Sequence, residues 1–328
     1  MMRAKISKMK KVFGGSVLVV WIYLVLLVKQ SINSQYDGLN LEKDPPRIAL
    51  LISFPNSGTT FTLNNLRRAS QSRTATHYCD EGCEDDNPWL VHKKSTNSNG
   101  DPNLLVNLMP CDAHLKMPKE YILTKTHCGG YCQDCQIEDF FYDEYDMACR
   151  LVHNCHNDAL SVLNSHHVDK VVHLIRDPFD NIVARFRFRD SRRTIPQGYA
   201  RNATGFRAHC SDIFDKGLDP AQAVFPCFKD LVQYVIWHNY ANEFIEKHAV
   251  QSMTLHYRDY QNDWKDTTQN LLNFLSLNDD TNLEIDNNTF HMSNYSNYFT
   301  EQERLAAKDA IQALASDTTW SQLQRYFE

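Results

Sequence analysis

A loop rich in hydroxyl side chains lies between an apolar run and a helical pattern. Residues 53–60 read Ser-Phe-Pro-Asn-Ser-Gly-Thr-Thr and follow the apolar residues 47–52. A loop that joins a strand to a helix binds phosphate-like anions, because the first N–H groups of the helix lack partners and its dipole favours negative charge. Ser57, Thr59 and Thr60 add hydroxyl donors. The G-x-x-x-x-G-K-[ST] frame of nucleotide kinases is absent. The sequence therefore predicts an anion site, with an ordinary capped turn as the alternative.

Two other stretches end in charged or titratable side chains. Residues 171–185 read VVHLIRDPFDNIVAR, so that Arg176 ends an apolar run and precedes a helical pattern. Its planar guanidinium can pair two phosphate oxygens at once. Residues 121–128 read YILTKTHC and bring Lys125 and His127 to the end of another apolar run. A neutral imidazole near pH 7 is suited to removing a proton from a hydroxyl group.

The elements that must position these residues alternate between strands and helices. This order predicts an α/β fold with a central parallel sheet that is covered on both faces. The predicted strands are Arg47–Phe54, Tyr121–Thr126, Val171–Arg176 and Ser252–Tyr257. The predicted helices are Thr59–Ala69, Asp180–Arg189, Phe228–His248, Trp264–Leu275 and Gln302–Leu314. Residues 70–118 and 194–226 are expected to be irregular insertions.

Together these stretches resemble the motifs of sulfotransferases. The loop is similar to T-Y-P-K-S-G-T-T-W, the segment around Arg176 to L-x-R-N/D-P-x-D-x-x-x-S, and residues 125–127 to a K-T-H strand end of cytosolic members. The resemblance implies a P-loop-like three-layer fold for residues 47–328. It also implies that the sulfuryl donor is 3′-phosphoadenosine 5′-phosphosulfate (PAPS) and that no metal ion is required.

The resemblance further implies which residues bind the donor. The loop would hold the 5′ phosphosulfate, Phe61 would pack on adenine, and Arg176 would bind the 3′ phosphate. Tyr257 takes the position of the Tyr in a Y-E-D strand end. The expected donor-binding residues are Pro55, Asn56, Ser57, Gly58, Thr59, Thr60, Phe61, Arg176, Ala184 and Tyr257.

Two positions depart from the family pattern. Asn56 stands where the family has a Lys that stabilises the leaving phosphate, and Ala184 stands where a Ser often contacts the 3′ phosphate. Arg185 is a candidate to replace that Ser. Lys125 is a candidate to supply the missing positive charge toward the sulfuryl group. The same departures support an alternative, a donor-binding or glycan-binding homologue that has lost catalysis.

His127 takes the role of the catalytic base under the same resemblance. An acceptor hydroxyl must lose its proton as it attacks sulfur, and the K-T-H spacing places an imidazole after the anion loop in the family's order. Sequence alone does not separate carbohydrate acceptors from the phenol of a tyrosylprotein, because both need a base.

The amino end has the composition of a membrane anchor. Residues 12–28 form a 17-residue run without charge, which as a helix would be about 26 Å long. Five basic residues precede it, so we expect residues 1–11 to be cytosolic and residues 29–46 to be a polar stem. The alternative is a cleaved signal peptide, but the run is long for one and no small-x-small cleavage site follows. This predicts a single-pass type II protein of the Golgi membrane. The resemblance then implies a carbohydrate hydroxyl as acceptor, because membrane-anchored lumenal members of the family mostly modify glycans.

The rest of the chain is acidic and contains many cysteines. Without the six basic residues before Asp37, the chain has 28 basic against 40 acidic residues, a net charge of −12, which makes it a poor nonspecific binder of nucleic acid. An even number of cysteines, 10, favours disulfides in an oxidising compartment over a zinc site. Three N-glycosylation sequons, at Asn202, Asn287 and Asn294, agree with a lumenal location.

Overall fold

A computed structural model describes residues 46–76, 89–91, 105–108, 115–128, 151–154, 159–162, 168–191, 198–219, 223–277 and 295–328. These residues belong to one compact unit that spans residues 46–328. The predicted cytosolic tail, membrane anchor and nearly all of the stem lie outside the described residues. Within the described ranges, no helix has both the length and the apolar character needed to span a membrane.

Nine strands are present in the described part of the chain. They are β1 (Arg47–Ser53), β2 (Ala75–Thr76), β3 (Trp89–Val91), β4 (Leu105–Leu108), β5 (Tyr121–Thr126), β6 (Leu151–Asn154), β7 (Ala159–Val162), β8 (Val168–Ile175) and β9 (Gln251–His256). Seven of them form one sheet in the order β3-β4-β2-β5-β1-β8-β9. Strands β2, β5, β1, β8 and β9 are parallel to their neighbours in that series, whereas β4 pairs antiparallel with both β2 and β3.

The helices of the described residues pack on the two faces of this sheet. They are α1 (Thr59–Ser70), α2 (Pro178–Ser191), α3 (Ala203–His209), α4 (Phe228–Lys247), α5 (Asp259–Asn262), α6 (Trp264–Phe274), α7 (Glu301–Leu314) and α8 (Asp317–Leu323). A π-helical turn, Cys210–Phe214, follows α3, and 3₁₀ turns span Ser296–Tyr298 and Gln324–Tyr326.

Strand β1 is central because its side chains are apolar on both faces. Ile48, Leu50 and Ile52 join a core cluster with residues of α2, α4 and α7. Ala49 and Leu51 alternate with them and pack with residues of α1 and α6. A continuous apolar run is what a strand covered on both sides requires. The parallel neighbours β5 and β8 then bring their carboxyl ends to the same edge of the sheet as the end of β1.

The predicted α/β fold with a central parallel sheet is confirmed, and the four predicted strands and five predicted helices are present with small shifts at their ends. The expectation that residues 70–118 and 194–226 are irregular was wrong in part. Strands β2, β3 and β4 lie in the first segment, and they were missed because strands of two to four residues carry little alternation. Helix α3 lies in the second segment, where Asn202 caps it by accepting from the Gly205 N–H at 3.0 Å.

The preference for disulfides is confirmed for the cysteines that the structure describes. Cys210 and Cys227 are bonded to each other and tie the π-helical turn to the start of α4. Cys128 is also disulfide-bonded. The other cysteines lie outside the described residues.

Candidate active site

The loop between β1 and α1 turns through two residues with positive φ. Asn56 has φ 64° and Gly58 has φ 96°. Asn tolerates the left-handed region better than most side chains, which gives a physical reason for Asn at this position. At Gly58 a Cβ atom would lie 2.1 Å from the ring of Tyr257, so that only glycine fits. The predicted donor residues Gly58 and Tyr257 are therefore in direct contact.

Two side chains from the β8–α2 region hold the loop through its carbonyl groups. Arg176 donates from Nη1 to the Asn56 carbonyl oxygen at 2.8 Å. Asn181 donates from Nδ2 to the Pro55 carbonyl oxygen at 2.9 Å and to Ser57 Oγ at 3.0 Å. Because Ser57 Oγ accepts this bond, its own hydroxyl hydrogen can be directed to another acceptor. The loop and the Arg176 segment, predicted separately, form one structure.

Helix α1 begins directly after the loop in which the sequence predicts an anion site. The helix begins at Thr59, and the Gly58 carbonyl oxygen accepts from the Thr62 N–H at 2.9 Å, so that the amides of the first turn have no intrahelical acceptor. The Thr59 hydroxyl is buried and lies 2.8 Å from Ser53 Oγ. Thr60 is exposed. Of the predicted hydroxyl donors, Thr59 thus braces the loop, while Thr60 faces outward.

His127 follows β5 and is bonded to the end of β1. Its Nδ1 lies 2.8 Å from the carbonyl oxygen of Ser53 and 3.2 Å from Ser53 Oγ. Because a carbonyl oxygen only accepts, Nδ1 must carry the hydrogen, and the lone pair of the neutral ring is then on Nε2. The His127 carbonyl oxygen accepts from Trp237 Nε1 at 2.8 Å. Strand β1 and helix α4 therefore fix both the ring and the backbone of this residue.

Electrostatics keep His127 neutral. Burial lowers its pKa to about 3, with a further lowering from the nearby Lys125 ammonium. Lys125 is itself buried, on β5 beside Leu51 of β1. The expectation of a neutral imidazole at pH 7 agrees with this environment. The expected match between its pKa and pH 7 does not, since burial moves the pKa far below that value.

Arg176 lies at a positively charged corner of the sheet. Its Cζ atom is 5.1 Å from the centre of the Tyr257 ring, and its Nε is buried with no hydrogen-bond partner among the described residues. Burial and the neighbouring Asp177 raise the pKa of Asp180 to about 6, whereas Arg176, Arg258 and Arg304 oppose this. Three guanidinium groups thus act on one carboxyl group at the start of α2.

Phe61 is half-buried in an aromatic cluster at the other side of the loop. Its ring centre is 5.7 Å from that of Tyr257, 5.2 Å from Tyr260 and 5.1 Å from Trp264, with edge-on geometry in each case. Edge-on contacts of this kind stabilise an aromatic pair by roughly 0.5–1.5 kcal/mol beyond burial. The half-exposed ring is available to pack on a base, as the resemblance implies.

Arg185 does not form the phosphate contact that was considered for it, and Ala184 next to it packs on the core. Ala184 is half-buried and packs against the core cluster below α2. Arg185 is 2% exposed and points into that core, where Nη1 lies 3.2 Å from Asp230 Oδ1. Its guanidinium also lies over Phe54, at 4.6 Å from the ring centre. Arg185 therefore cannot replace a Ser at the position of Ala184.

Sequence reasoning missed three residues that hold the site together. They are Asn181, which binds the loop, Trp237, which binds the His127 carbonyl, and Tyr234, whose hydroxyl donates to the Arg176 carbonyl. A local signal existed only for Asn181, which lies five residues after Arg176 in the first turn of α2. Tyr234 and Trp237 lie in the middle of α4 and are indistinguishable in sequence from ordinary core residues.

Comparison with known proteins agrees with the motifs. The family model described as a sulfotransferase domain matches residues 46–316, which is most of the chain. The chain belongs to the sulfotransferase family. The sulfotransferase resemblance is confirmed at this level, and with it the enzyme class, a PAPS-dependent sulfotransferase.

Two solved sulfotransferases have low sequence identity and low structural similarity to this chain. Mouse sulfotransferase SULT7A1, in complex with PAP, is 14% identical, with a TM-score of 0.40 over 85% of this chain and 89% of that one. A sulfotransferase from Alicyclobacillus acidocaldarius is 10% identical, with a TM-score of 0.42 over 86% of this chain and 96% of that one. These scores add nothing to the family assignment. A search of curated proteins finds no match. Within the described residues of this sulfotransferase, no cluster of three or more His, Cys, Asp or Glu side chains could hold a metal ion.

Proposed function

We propose that this sulfotransferase moves the sulfuryl group of PAPS to a hydroxyl group of its acceptor, with His127 as the general base. The observation that carries the proposal is the bond from His127 Nδ1 to the Ser53 carbonyl oxygen at 2.8 Å. This bond selects the tautomer whose Nε2 can take a proton. It also ties the base to the strand that leads into the anion loop, so that base and donor are held by one element.

The described residues fit PAPS at each of its charged groups. The first-turn amides of α1 and the Ser57 hydroxyl suit the 5′ phosphosulfate. Arg176 suits the 3′ phosphate, since its Nη1 is anchored on Asn56 while its buried Nε lacks a partner among the described residues. Arg258 and Arg304 act on the same corner and supply positive charge there. Phe61 offers its half-exposed ring to adenine.

The chemical step follows from this placement. His127 Nε2 takes the proton of the acceptor hydroxyl as the acceptor oxygen bonds to sulfur. The bond between sulfur and the 5′-phosphate oxygen breaks in line, and its electrons leave with PAP. Burial of His127 makes the ring a weak base in the resting enzyme. The developing negative charge between sulfur and phosphate raises its proton affinity as the reaction proceeds.

Lys125 is the residue that we propose for stabilising the leaving phosphate. Asn56 does not supply positive charge to the phosphate, because its side chain is uncharged. Lys125 is buried and close enough to His127 to lower the pKa of the imidazole. A buried ammonium facing a reacting anion gains far more Coulomb energy than one in water.

The acceptor and the location are proposed from the sequence. We propose a carbohydrate hydroxyl as acceptor and a type II anchor at residues 12–28 in the Golgi membrane. The support for the location is the uncharged run with basic residues before it, the cysteine content and the three sequons. The support for a carbohydrate acceptor is the resemblance alone, since membrane-anchored lumenal members of the family mostly modify glycans. Protease protection and glycosidase treatment of the full chain in microsomes test the topology. A glycosylated, protected body is expected, and a cytosolic, unglycosylated body would contradict it.

The donor site is tested by binding of PAP to the full chain, to Arg176→Ala and to Arg68→Ala. Arg68 is exposed in the last turn of α1 and serves as a charge-matched control. Calorimetry should show a loss of affinity of at least about 10-fold for Arg176→Ala and no change for Arg68→Ala. Equal affinity of the wild type and Arg176→Ala would overturn the donor site proposed at Arg176. No binding to a folded wild type would favour the inactive homologue.

The acceptor class is tested by transfer of labelled sulfuryl groups from PAPS. Two acceptor pools separate the candidates, one of glycans released from glycoproteins and one of acidic tyrosine peptides. Labelling of the glycans alone supports the proposal. Labelling of the peptides alone would make the chain a tyrosylprotein sulfotransferase with the same donor site.

A further inference from the structure

The last residues of the chain contact the donor site from beyond the range of the family match. That match ends at residue 316, and α8 with the following 3₁₀ turn, Gln324–Tyr326, lies after it. Leu323 and Tyr326 are buried in the core cluster that α4 and α7 share. This carboxyl-terminal turn is therefore a packed part of the fold.

A single hydroxyl group of this turn joins the ends of β8 and β9. Tyr326 Oη donates to the Ile175 carbonyl oxygen at 3.3 Å and lies 2.8 Å from His256 Nδ1. Ile175 directly precedes Arg176, and His256 directly precedes Tyr257. The Tyr257 N–H also donates to the Ile175 carbonyl oxygen, at 2.8 Å. Tyr326 is thus bonded to the backbone of the residue before Arg176 and to the side chain of the residue before Tyr257.

The same turn contacts a second cation of this corner. The guanidinium of Arg258 lies 6.0 Å from the centre of the Tyr326 ring, and Arg325 pairs with Asp259 at 2.8 Å. From helix α4, the Tyr234 hydroxyl donates to the carbonyl of Arg176. Two consecutive carbonyl groups, those of residues 175 and 176, are each held by a tyrosine hydroxyl from a different element.

We propose that Tyr326 is a positioning residue for donor binding, acting through Arg176 and Tyr257 on the 3′ phosphate. This inference rests on the proposed role of Arg176. A forked guanidinium contact with a phosphate is sensitive to small displacements, and the burial of Tyr326 at 7% exposure makes its hydroxyl bonds persistent. The carboxyl-terminal turn thereby completes the site from sequence outside the family-matched domain.

The test uses Tyr326→Phe, which removes one hydroxyl and keeps the ring. Its matched control is Tyr298→Phe, which removes another buried tyrosine hydroxyl, bonded to the Arg201 carbonyl oxygen at 3.4 Å. Calorimetry without acceptor measures binding of PAPS and of adenosine 5′-phosphosulfate, which differ only in the 3′ phosphate. Thermal unfolding is followed in parallel.

We expect Tyr326→Phe to weaken PAPS binding on the order of 10-fold and to leave adenosine 5′-phosphosulfate unchanged. Tyr298→Phe should bind both ligands as the wild type does. Equal weakening of both ligands together with a lower unfolding temperature would reduce Tyr326 to a structural role, and unchanged PAPS binding would overturn the inference. If Arg176→Ala keeps wild-type affinity, the proposed donor site itself fails. If Arg176→Ala loses affinity and Tyr326→Phe does not, only the present inference fails.

Discussion

Two sets of buried histidines lie in or against this sheet, and they differ in the hydrogen-bond partners of their rings. His127 stands at the carboxyl end of β5 and is bonded to the backbone of β1. His173, within β8, is bonded to His238 of α4 through Nε2 and Nδ1 at 2.8 Å, in the middle of the core. Burial lowers the pKa of His127 and of His173 to about 3, and that of His238 well below its usual value.

The difference between them shows that a lowered pKa does not by itself identify a catalytic base. All three rings are buried, and all three are neutral at pH 7. Only His127 lies at the edge of the sheet where the anion loop and Arg176 meet. Under the proposed function, the place of His127 beside the anion loop distinguishes it from His173 and His238, which are expected to stabilise the fold.

The largest effect should come from His127→Ala. Removal of the base should lower the rate of labelled sulfuryl transfer by about 10²–10⁴-fold, while PAP binding changes little. His238→Leu, which removes the other type of buried histidine, should keep its rate per folded molecule. A His127→Ala variant that keeps more than about a tenth of the wild-type rate would contradict the catalytic role that separates His127 from the other histidines.

The next effect should come from His238→Leu on stability. The substitution leaves His173 Nε2 in the core without its present partner, which costs about 1–3 kcal/mol in the free energy of unfolding. Urea unfolding of the wild type and the variant measures this cost. A variant as stable as the wild type would show that the pair contributes nothing to the fold.

Acid should weaken the fold before it affects the chemistry. The unfolded chain binds protons on its histidines near pH 6.5, whereas in the folded protein burial lowers the pKa of His173 to about 3. Stability is therefore full above pH 6.5 and is lost as the pH falls from 6.5 toward the folded pKa, by about 1.4 kcal/mol per pH unit for each such histidine. Urea unfolding between about pH 7 and pH 5.5 measures the slope, which should be shallower in His238→Leu.

The smallest effect should come from Ser53→Ala. This change removes the Ser53 Oγ contacts with His127 and with Thr59, but it leaves the carbonyl oxygen that selects the tautomer of His127. We expect the transfer rate to fall by only a few-fold, since one neutral hydrogen bond contributes about 1 kcal/mol. A loss as large as that of His127→Ala would show that the hydroxyl, and not the backbone, orients the ring.

Local patterns predicted the parts of the fold and site that depend on contiguous residues. The apolar run of β1, the strand end at His127 and the helix start at Thr59 are each written in a few adjacent residues. The contacts of Asn181 with Pro55 and of Tyr326 with Ile175 join residues that are 126 and 151 positions apart. No periodicity encodes such pairs, because many buried polar residues could satisfy the same carbonyl group.

The sequence did not show, for a related reason, that the Arg185 side chain points into the core. Its position next to Ala184 made it a candidate to contact the 3′ phosphate, yet the residue lies on the buried side of α2 opposite Asp230. A buried charge needs a partner, and that partner is 45 residues away in the sequence, at the start of α4. Helical phase could have placed Arg185 inward, but only the fold supplies Asp230.

The protonation state of His127 tests the central claim most directly, and it needs no acceptor. Nitrogen NMR of the full chain, labelled at histidine and assigned with His127→Ala, reports which ring nitrogen carries hydrogen. We predict a neutral ring with hydrogen on Nδ1 at pH 7 that persists to about pH 5. An imidazolium at about pH 7, or a neutral ring with hydrogen on Nε2, would contradict the assignment of His127 as the general base, because Nε2 would then have no lone pair to accept a proton.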